Sequence, residues 1–339
     1  MSFDFEIDNK IQYIVPKNEK LRYASNNIEK NILYHKSFFK LNLKSFQRNY
    51  NYYENKNKLS QGGASLVFLA TDIRNNNKVV LKELKTTNIT KLKREINILN
   101  ILKKNDFVIP LLDICYSDEN FYLVFPYVNC KPTRTLFYKF DRNEAKIFMY
   151  NLLKNINKIH QSSVIHRDLK PGNILVNNAN DFYIIDFGIA DFYMPFRKYC
   201  NKIGTRNFKS PEQLVNMKGF DYKIDIWAIG IMFAEIIFHK FPFIKPEEDI
   251  NTLEQIYDII GHNKFTKFLK YFNLSENYPF LKKKSKEIDF IKLSNRTDSF
   301  FENEPYAIDL LKKLIEINPY KRINAKDALS HNYFNDLNN

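Results

Sequence analysis

The sequence predicts a two-lobed α+β protein, with a small β-rich lobe in the first third of the chain and a larger α-helical lobe after it. Three observations support this fold class. Short runs typical of β-strands, such as 66–69 and 78–81, follow one another early in the chain. Beyond residue 144 apolar residues recur at helical spacing, and 226–238 is an almost entirely apolar run that indicates a buried helix. Strands followed by helices favour segregated layers or lobes.

The domain boundaries are expected where the composition changes. Residues 1–45 are rich in Asn and Lys and show no steady periodicity, so we expect an N-terminal extension that is either partly disordered or packed on the domain. Residues 46–336 are expected to form one domain, with the small lobe to about residue 125, a hinge over 126–130 and the large lobe over 131–336.

The composition fits a globular protein with free thiols. The 339 residues, 44% of them hydrophobic, can bury one large core or two lobes around a cleft. No apolar run reaches the roughly 20 residues needed to cross a bilayer, so we expect an intracellular protein with no membrane association. The 3 cysteines are odd in number and match no metal-ligand spacing, which predicts a reducing compartment.

The net charge of +14 suits an acidic partner, but it also has a simpler explanation. Such a charge could favour binding to nucleic acid, to acidic lipid or to an acidic protein substrate. The lysines are spread along the whole chain, and the sequence contains no zinc-finger or RNA-binding signature. We therefore expect no direct sequence-specific binding of nucleic acid.

In the small lobe, a turn at 75–77 separates the two β-type runs, and an amphipathic helix follows them. Its apolar residues recur at helical spacing and are Leu92, Ile96, Leu99 and Leu102. The run 121–125 then predicts a further strand. These elements indicate a small sheet with one helix.

In the large lobe, apolar stripes predict one helix around 149–156 and another around 310–315, in addition to the buried run. Two short apolar runs, 174–176 and 183–185, have the character of strands. Asn173 directly precedes the first run and Asp186 directly follows the second, so we expect these two residues to lie on adjoining loops.

These loops carry residue types suited to phosphoryl transfer. The run from His166 to Asn173 reads His-Arg-Asp-Leu-Lys-Pro-Gly-Asn, and Asp186 opens Asp-Phe-Gly. Phosphoryl transfer needs in-line positioning, neutralisation of charge and a group that receives the hydroxyl proton. We expect Asp168 to orient the hydroxyl and Lys170 to neutralise the phosphoryl group. Asn173 and Asp186 offer the oxygen ligands that Mg²⁺ prefers.

Taken together, these motifs resemble the eukaryotic protein kinase family over roughly residues 50–336, and Lys170 resembles its serine/threonine branch. The resemblance implies a bilobal kinase fold, the cofactors ATP and Mg²⁺, and Asp168, Lys170 and Asn173 as catalytic residues. It also implies that Lys82 holds the α- and β-phosphates and pairs with Glu95 on the following helix.

The resemblance further implies an adenine site. The loop over 59–67 keeps the middle glycine, Gly62, but has serines where the first and third glycines are usual. The residues expected to enclose adenine are Leu59, Val67, Val80 and Leu175. At the hinge, Pro126 would present its carbonyl group, since it has no N–H to donate, and Val128 would donate its N–H.

A closer resemblance is to the cell-division-cycle-seven kinases. It rests on local features that include the hinge Phe-Pro-Tyr, the run from Gly204 to Glu212, and Lys-Ile-Asp-Ile-Trp over 223–227. It implies a nuclear kinase that a Dbf-type regulatory subunit activates and that phosphorylates acidic replicative-helicase tails. Between Gly188 and Thr205 there is no Ser or Thr, which favours activation by a partner over phosphorylation of this segment.

Several alternatives remain open at the level of sequence. Arg206 and Lys209 would favour an acidic residue beside the target Ser or Thr, but they could instead bind a structural carboxylate. Another acidophilic, casein-kinase-like enzyme, or a cyclin-dependent-like kinase, fits most of the same motifs. A pseudokinase scaffold fits less well, because Lys82, Glu95 and the catalytic residues are all present.

Overall fold

A computed structural model of the chain describes residues 50–61, 65–84, 89–117, 120–130, 133–194, 197–217, 219–245, 247–295 and 300–337. The expected extension over 1–45 lies outside these residues. Within them, a five-stranded sheet is followed by a mainly helical region, which confirms the predicted α+β class. None of the helices in this part of the chain is long and apolar enough to span a membrane.

The small lobe is an antiparallel sheet with one helix. Its strands are β1 (Tyr53–Gln61), β2 (Ser65–Asp72), β3 (Asn77–Leu84), β4 (Asp113–Ser117) and β5 (Asn120–Pro126), in the order β1-β2-β3-β5-β4. β3 lies in the centre, where Lys82 faces Val67 on one side and Leu123 on the other. The central position fixes where the Lys82 side chain leaves the sheet.

Helix α1 (Ile89–Leu102) packs with the apolar stripe that the sequence predicts. Leu92, Ile96, Leu99 and Leu102 are all at most 3% exposed. Glu95 is also buried on this helix, at 3% exposed, although an isolated carboxylate is costly to bury. A buried charge of this kind requires a partner, and the site provides one.

The large lobe has a buried helix at its centre. The described helices after α1 are α2 (Thr133–Phe137), α3 (Arg142–Gln161), α4 (Pro211–Leu214), α5 (Lys223–Phe238), α6 (Asp249–Ile260), α7 (His262–Tyr271), α8 (Phe300–Asn303), α9 (Ala307–Leu314) and α10 (Ala325–Leu329). Every residue of α5 from Ile224 onward is buried. A Cβ on Gly230 would lie 2.6 Å from Cγ2 of Ile315, so glycine is required where α5 meets the end of α9.

Four short strands bring the polar loops together. They are β6 (Val164–Ile165), β7 (Ile174–Asn178), β8 (Asp181–Ile184) and β9 (Asp191–Phe192). β7 pairs with β8, and β6 pairs with β9, both antiparallel. The first pairing sets Asn173 beside the residues that follow β8, since the N–H of Ile185 donates to the carbonyl of Asn173 at 3.0 Å. The sequence prediction of adjoining loops is thereby confirmed.

Candidate active site

Lys82, Glu95 and Asp186 form a linked set of charges between the sheet, α1 and the loop after β8. Nζ of Lys82 lies 2.7 Å from Oε1 of Glu95 and 2.7 Å from Oδ1 of Asp186. Burial alone would lower the pKa of Lys82, but the two carboxylates more than offset this and raise it. The lysine therefore stays charged and can present a cation to phosphate.

The loop from His166 to Asn173, called the catalytic loop below, is hydrogen-bonded to Asp225, the third residue of α5. Its carboxylate accepts the backbone N–H groups of His166 and Arg167 and also contacts Nε2 of His160, each at 2.9 Å. Burial would raise the pKa of Asp225, but the hydrogen bond with His160 helps to lower it below the usual value. These bonds support Arg167 in a positive φ of 72°, a conformation that costs free energy unless its surroundings hold it.

Asp168 lies in a compact group with Lys170 and Thr205. Nζ of Lys170 lies 2.8 Å from Oδ2 of Asp168 and 2.7 Å from Oγ1 of Thr205, and the Thr205 hydroxyl donates to Oδ1 of Asp168 at 2.7 Å. Gly204 has φ of 94°, and a Cβ there would lie 2.9 Å from the carbonyl oxygen of Arg167. Glycine therefore allows the segment to approach the catalytic loop closely enough for this contact.

Asn173 and Asp186 have the chemistry of a magnesium site. The Asn173 amide nitrogen donates to Oδ2 of Asp168 at 3.0 Å, so the side-chain carbonyl oxygen is the atom left to coordinate a cation. Burial would raise the pKa of Asp186, but Lys82 lowers it below its usual value, so the group is an anion. The described residues contain no group of three or more His, Cys, Asp or Glu side chains that could hold a metal ion by themselves. One carboxylate and one amide fit Mg²⁺, which commonly keeps water and phosphate as its other ligands.

The predicted adenine residues lie on strands of both lobes. Val67 faces Ser60 of β1 across the sheet, Val80 faces Phe125 of β5, and Leu175 lies on β7 in the large lobe. Leu59 is 50% exposed on β1, and Gly62 lies outside the described residues. That these side chains enclose adenine stays a prediction.

The predicted hinge begins at the end of β5. Pro126 ends β5 opposite Val79, and the N–H of Tyr127 donates to the carbonyl of Lys78 at 3.3 Å. The next N–H, that of Val128, makes no hydrogen bond to the part of the chain that the structure describes. A ligand could therefore use it.

Arg206 and Lys209, the two basic residues considered for substrate binding, share a carboxylate. Nζ of Lys209 lies 3.5 Å from Asp249, and Nε of Arg206 lies 3.9 Å from the same residue. Lys209 also lines a small pocket beside Asp168 and Thr205. Asp249 therefore partly neutralises the two cations that were expected to bind an acidic substrate. The Arg206 side chain is nevertheless 59% exposed.

One cluster beside the catalytic loop was not predicted from the sequence. The carboxylate of Asp191 in β9 contacts the guanidinium groups of Arg94, Arg167 and Arg197 at 3.0 to 3.1 Å. The only signal in the sequence is its position five residues after Asp186, which says nothing about its partners.

Comparison with known proteins identifies the family. The model of the protein kinase domain matches residues 53–334. A probable serine/threonine-protein kinase of Dictyostelium discoideum is 36% identical over 308 residues, which cover 88% of this chain and 50% of that relative. The chain therefore spans about half the length of the relative. With the lysine–glutamate pair and the catalytic loop in place, the match over most of the chain shows that it belongs to the protein kinase domain family.

Proposed function

We propose that this chain transfers the γ-phosphoryl group of ATP to serine or threonine hydroxyls of protein substrates. The observation that carries the proposal is the group formed by Asp168, Lys170 and Thr205. A substrate hydroxyl that reaches this group meets a carboxylate that can orient it and accept its proton, and an ammonium that can neutralise the transferring phosphoryl group. The name of the Dictyostelium relative supports the serine/threonine branch.

The nucleotide would be held from the opposite side by the small lobe. Lys82, fixed by Glu95, offers its ammonium to the α- and β-phosphates. Asp186 and Asn173 would hold Mg²⁺, which supplies further neutralisation of the phosphate charge when bound. Val128 offers a backbone N–H to adenine, and Pro126 a carbonyl.

The substrate class that fits best is a peptide with acidic residues near the target hydroxyl. Arg206 is largely exposed beside the pocket that Asp168 helps to line. Its Nε lies 3.9 Å from Oδ1 of Asp249, which is a long distance for an ion pair. A substrate carboxylate could form a shorter contact with it.

A positional peptide library tests both the serine/threonine specificity and the preference for acidic residues. It is incubated with the purified chain, Mg²⁺ and ATP. We expect phosphoserine and phosphothreonine, and an enrichment of Asp or Glu near the phosphorylated residue. The variant Arg206→Gln should lose at least part of that enrichment while Lys202→Gln, a nearby change of the same charge, should keep it. Phosphotyrosine alone, or a preference for basic residues, would contradict the assignment.

The finer role inferred from sequence is a nuclear cell-cycle kinase that triggers replication initiation through acidic helicase tails, with a Dbf-type activating subunit. It rests on the local sequence resemblance alone. A second candidate, an acidophilic, casein-kinase-like enzyme that needs no partner, is favoured by a specific observation. The pair between Lys82 and Glu95 is already formed in the single chain.

The activity of the purified chain separates these two candidates. A partner-dependent kinase would gain at least tenfold in kcat when a Dbf-type protein is added. A partner-independent enzyme would show its full rate alone, and identification of the stoichiometric partner from native cells would corroborate either outcome.

A further inference from the structure

Asp191 is a buried carboxylate outside the set of residues that handle nucleotide and substrate. It opens β9, where it faces Ile165 of β6, and is 3% exposed. A buried carboxylate is unfavourable unless cations and hydrogen-bond donors surround it. Three arginines do so here, and each comes from a different part of the chain.

The three arginines belong to three different elements around the site. Nη1 of Arg94, next to Glu95 on α1, lies 3.0 Å from Oδ2 of Asp191. Nη1 of Arg167, next to Asp168 in the catalytic loop, lies 3.1 Å from the same oxygen. Nη1 of Arg197, in the segment after β9, lies 3.0 Å from Oδ1. One carboxylate therefore joins the helix, the catalytic loop and the segment that leads to Thr205.

The charges of this cluster depend on that carboxylate. Three guanidinium groups around one carboxylate would repel one another if it were removed. Burial lowers the pKa of Arg167 and nearby Arg94 acts in the same direction, while Asp191 opposes both. Within the described residues, Asp191 is the only carboxylate that pairs with Arg94, Arg167 or Arg197, and Nε of Arg94 and Nε of Arg167 are buried without an acceptor.

Aromatic rings cover the cluster. The guanidinium carbon of Arg167 lies 5.5 Å from the ring centre of Tyr199 and 5.9 Å from that of Phe220. The Tyr199 hydroxyl donates to the carbonyl of Phe192, directly after Asp191, at 3.0 Å. The side chains of Arg94 and Arg167 are 17% and 3% exposed, so their pairs with Asp191 are stronger than surface pairs, whereas Arg197 is 38% exposed.

We propose that Asp191 is a positioning residue: its carboxylate fastens α1 to the catalytic loop, through Arg94 and Arg167, and so keeps Glu95 on Lys82 without a phosphate on the segment between Gly188 and Thr205. This inference rests on the proposed function for its kinetic consequence. The segment contains no Ser or Thr before Thr205, so a carboxylate within the chain supplies the negative charge.

The test uses Asp191→Asn, which removes the charge and keeps the shape. The matched control is Asp72→Asn, because Asp72 is also buried, at 6% exposed, and is paired with an arginine, Arg74, at 2.7 Å, but at the far end of the small lobe. Two readouts are needed: kcat with a peptide substrate, and hydrogen exchange of the amides of α1 without nucleotide. Exchange does not depend on activity, so it decides the inference even if the proposed function fails.

We expect Asp191→Asn to lose at least tenfold in kcat and to exchange at least tenfold faster over α1, while Asp72→Asn changes neither more than twofold. Asp191→Glu, which restores a carboxylate, should recover kcat to within about threefold of the original. If Asp191→Asn does not fold, Arg94→Gln with Arg74→Gln as its control gives the same comparison. The inference is overturned if Asp191→Asn leaves exchange over α1 unchanged, or if, in a chain that is active, Asp191→Asn resembles Asp72→Asn in kcat.

Discussion

Lys82 and Glu95 form an ion pair, with Nζ and Oε1 2.7 Å apart, across the boundary between the central strand of the sheet and α1. The side chains are only 11% and 4% exposed. Because Glu95 is buried and its helix is amphipathic, a shift of α1 would leave a buried carboxylate without its cation. The pair therefore reports whether the small lobe is arranged for phosphate binding.

Glu95→Gln should lower kcat about 100-fold, equivalent to about 2.7 kcal/mol of transition-state stabilisation, because Lys82 then loses the group that orients it. Steady-state kinetics with Mg-ATP and a peptide measure this. Glu83→Gln is the control, since Glu83 lies beside Lys82 on β3 but is only half-buried. Equal rates for Glu95→Gln and Glu83→Gln would exclude the role given to the pair.

The Thr205 hydroxyl should matter more for rate than for stability. Thr205→Val removes the bonds of the hydroxyl to Asp168 and Lys170 but keeps the backbone N–H that donates to Asp168, so Asp168 loses part of its orientation and kcat should fall at least tenfold. Thr205→Ser keeps the hydroxyl and should stay within about threefold of the original. Thermal unfolding of the two variants should differ little. A Thr205→Val enzyme as fast as Thr205→Ser would show that the contact is incidental.

Glu212 and Arg322 form a second buried ion pair. Nη1 and Nη2 of Arg322 donate to the two oxygens of Glu212 at 2.7 and 2.9 Å, and both side chains are at most 1% exposed. Glu212→Gln leaves a buried, uncompensated cation and should lower the free energy of unfolding by about 3 to 5 kcal/mol. Denaturant unfolding measures this.

The control for that experiment is Glu287→Gln. Glu287 pairs with Lys264 at 2.9 Å, but the side chains are 36% and 48% exposed, so solvent screens the pair. The expected loss is below about 1 kcal/mol. A comparable loss from both variants would mean that burial does not set the contribution of the Glu212 pair.

Glu235 predicts a specific dependence of stability on pH. Burial on α5 raises its pKa to about 7, partly opposed by Arg134 and by the N–H of Phe243, and one carboxylate oxygen has no partner among the described residues. The pKa of Glu235 is higher in the folded state than in the unfolded state. At pH values between the two pKa values, only the folded state therefore holds the proton on Glu235. The stabilisation is complete below the unfolded pKa and is lost as the pH rises toward about 7.

Glu235→Gln should remove this part of the pH dependence, which amounts to about 3 kcal/mol between pH 4.5 and 8. Unfolding curves at several pH values measure the slope. Glu302→Gln, an exposed change of the same kind, should leave the slope as it is. An identical slope for the original chain and Glu235→Gln would refute a raised pKa for Glu235.

The sequence predicted the fold class and most of the site because the chemistry lies in short local runs. The apolar stripe of α1 and the two strands beside Asn173 follow from spacing, whereas the pairing of Glu95 with Lys82 was implied by the resemblance to protein kinases. The adenine site stays a prediction, since Gly62 lies outside the described residues.

The cluster around Asp191 could not be predicted, for a physical reason. Its arginines lie 97, 24 and 6 positions away along the chain, and they meet only after β6 pairs with β9 and α1 docks on the loop. The contact between Asp249 and Lys209 could not be predicted either, because it depends on how α6 packs in the large lobe. Long-range pairings of charge leave no periodic pattern in sequence.

The most direct test of the account is phosphate incorporation from Mg-ATP into a peptide by the original chain and by Asp168→Asn, with each candidate partner added. Asp181→Asn, an exposed change in the same lobe, is the control. The account predicts that Asp168→Asn falls at least about 1000-fold, since it loses the group that receives the hydroxyl proton, while Asp181→Asn keeps its rate. Equal incorporation by the original chain and Asp168→Asn would contradict the assignment of Asp168, and no incorporation by any of the proteins would indicate a pseudokinase.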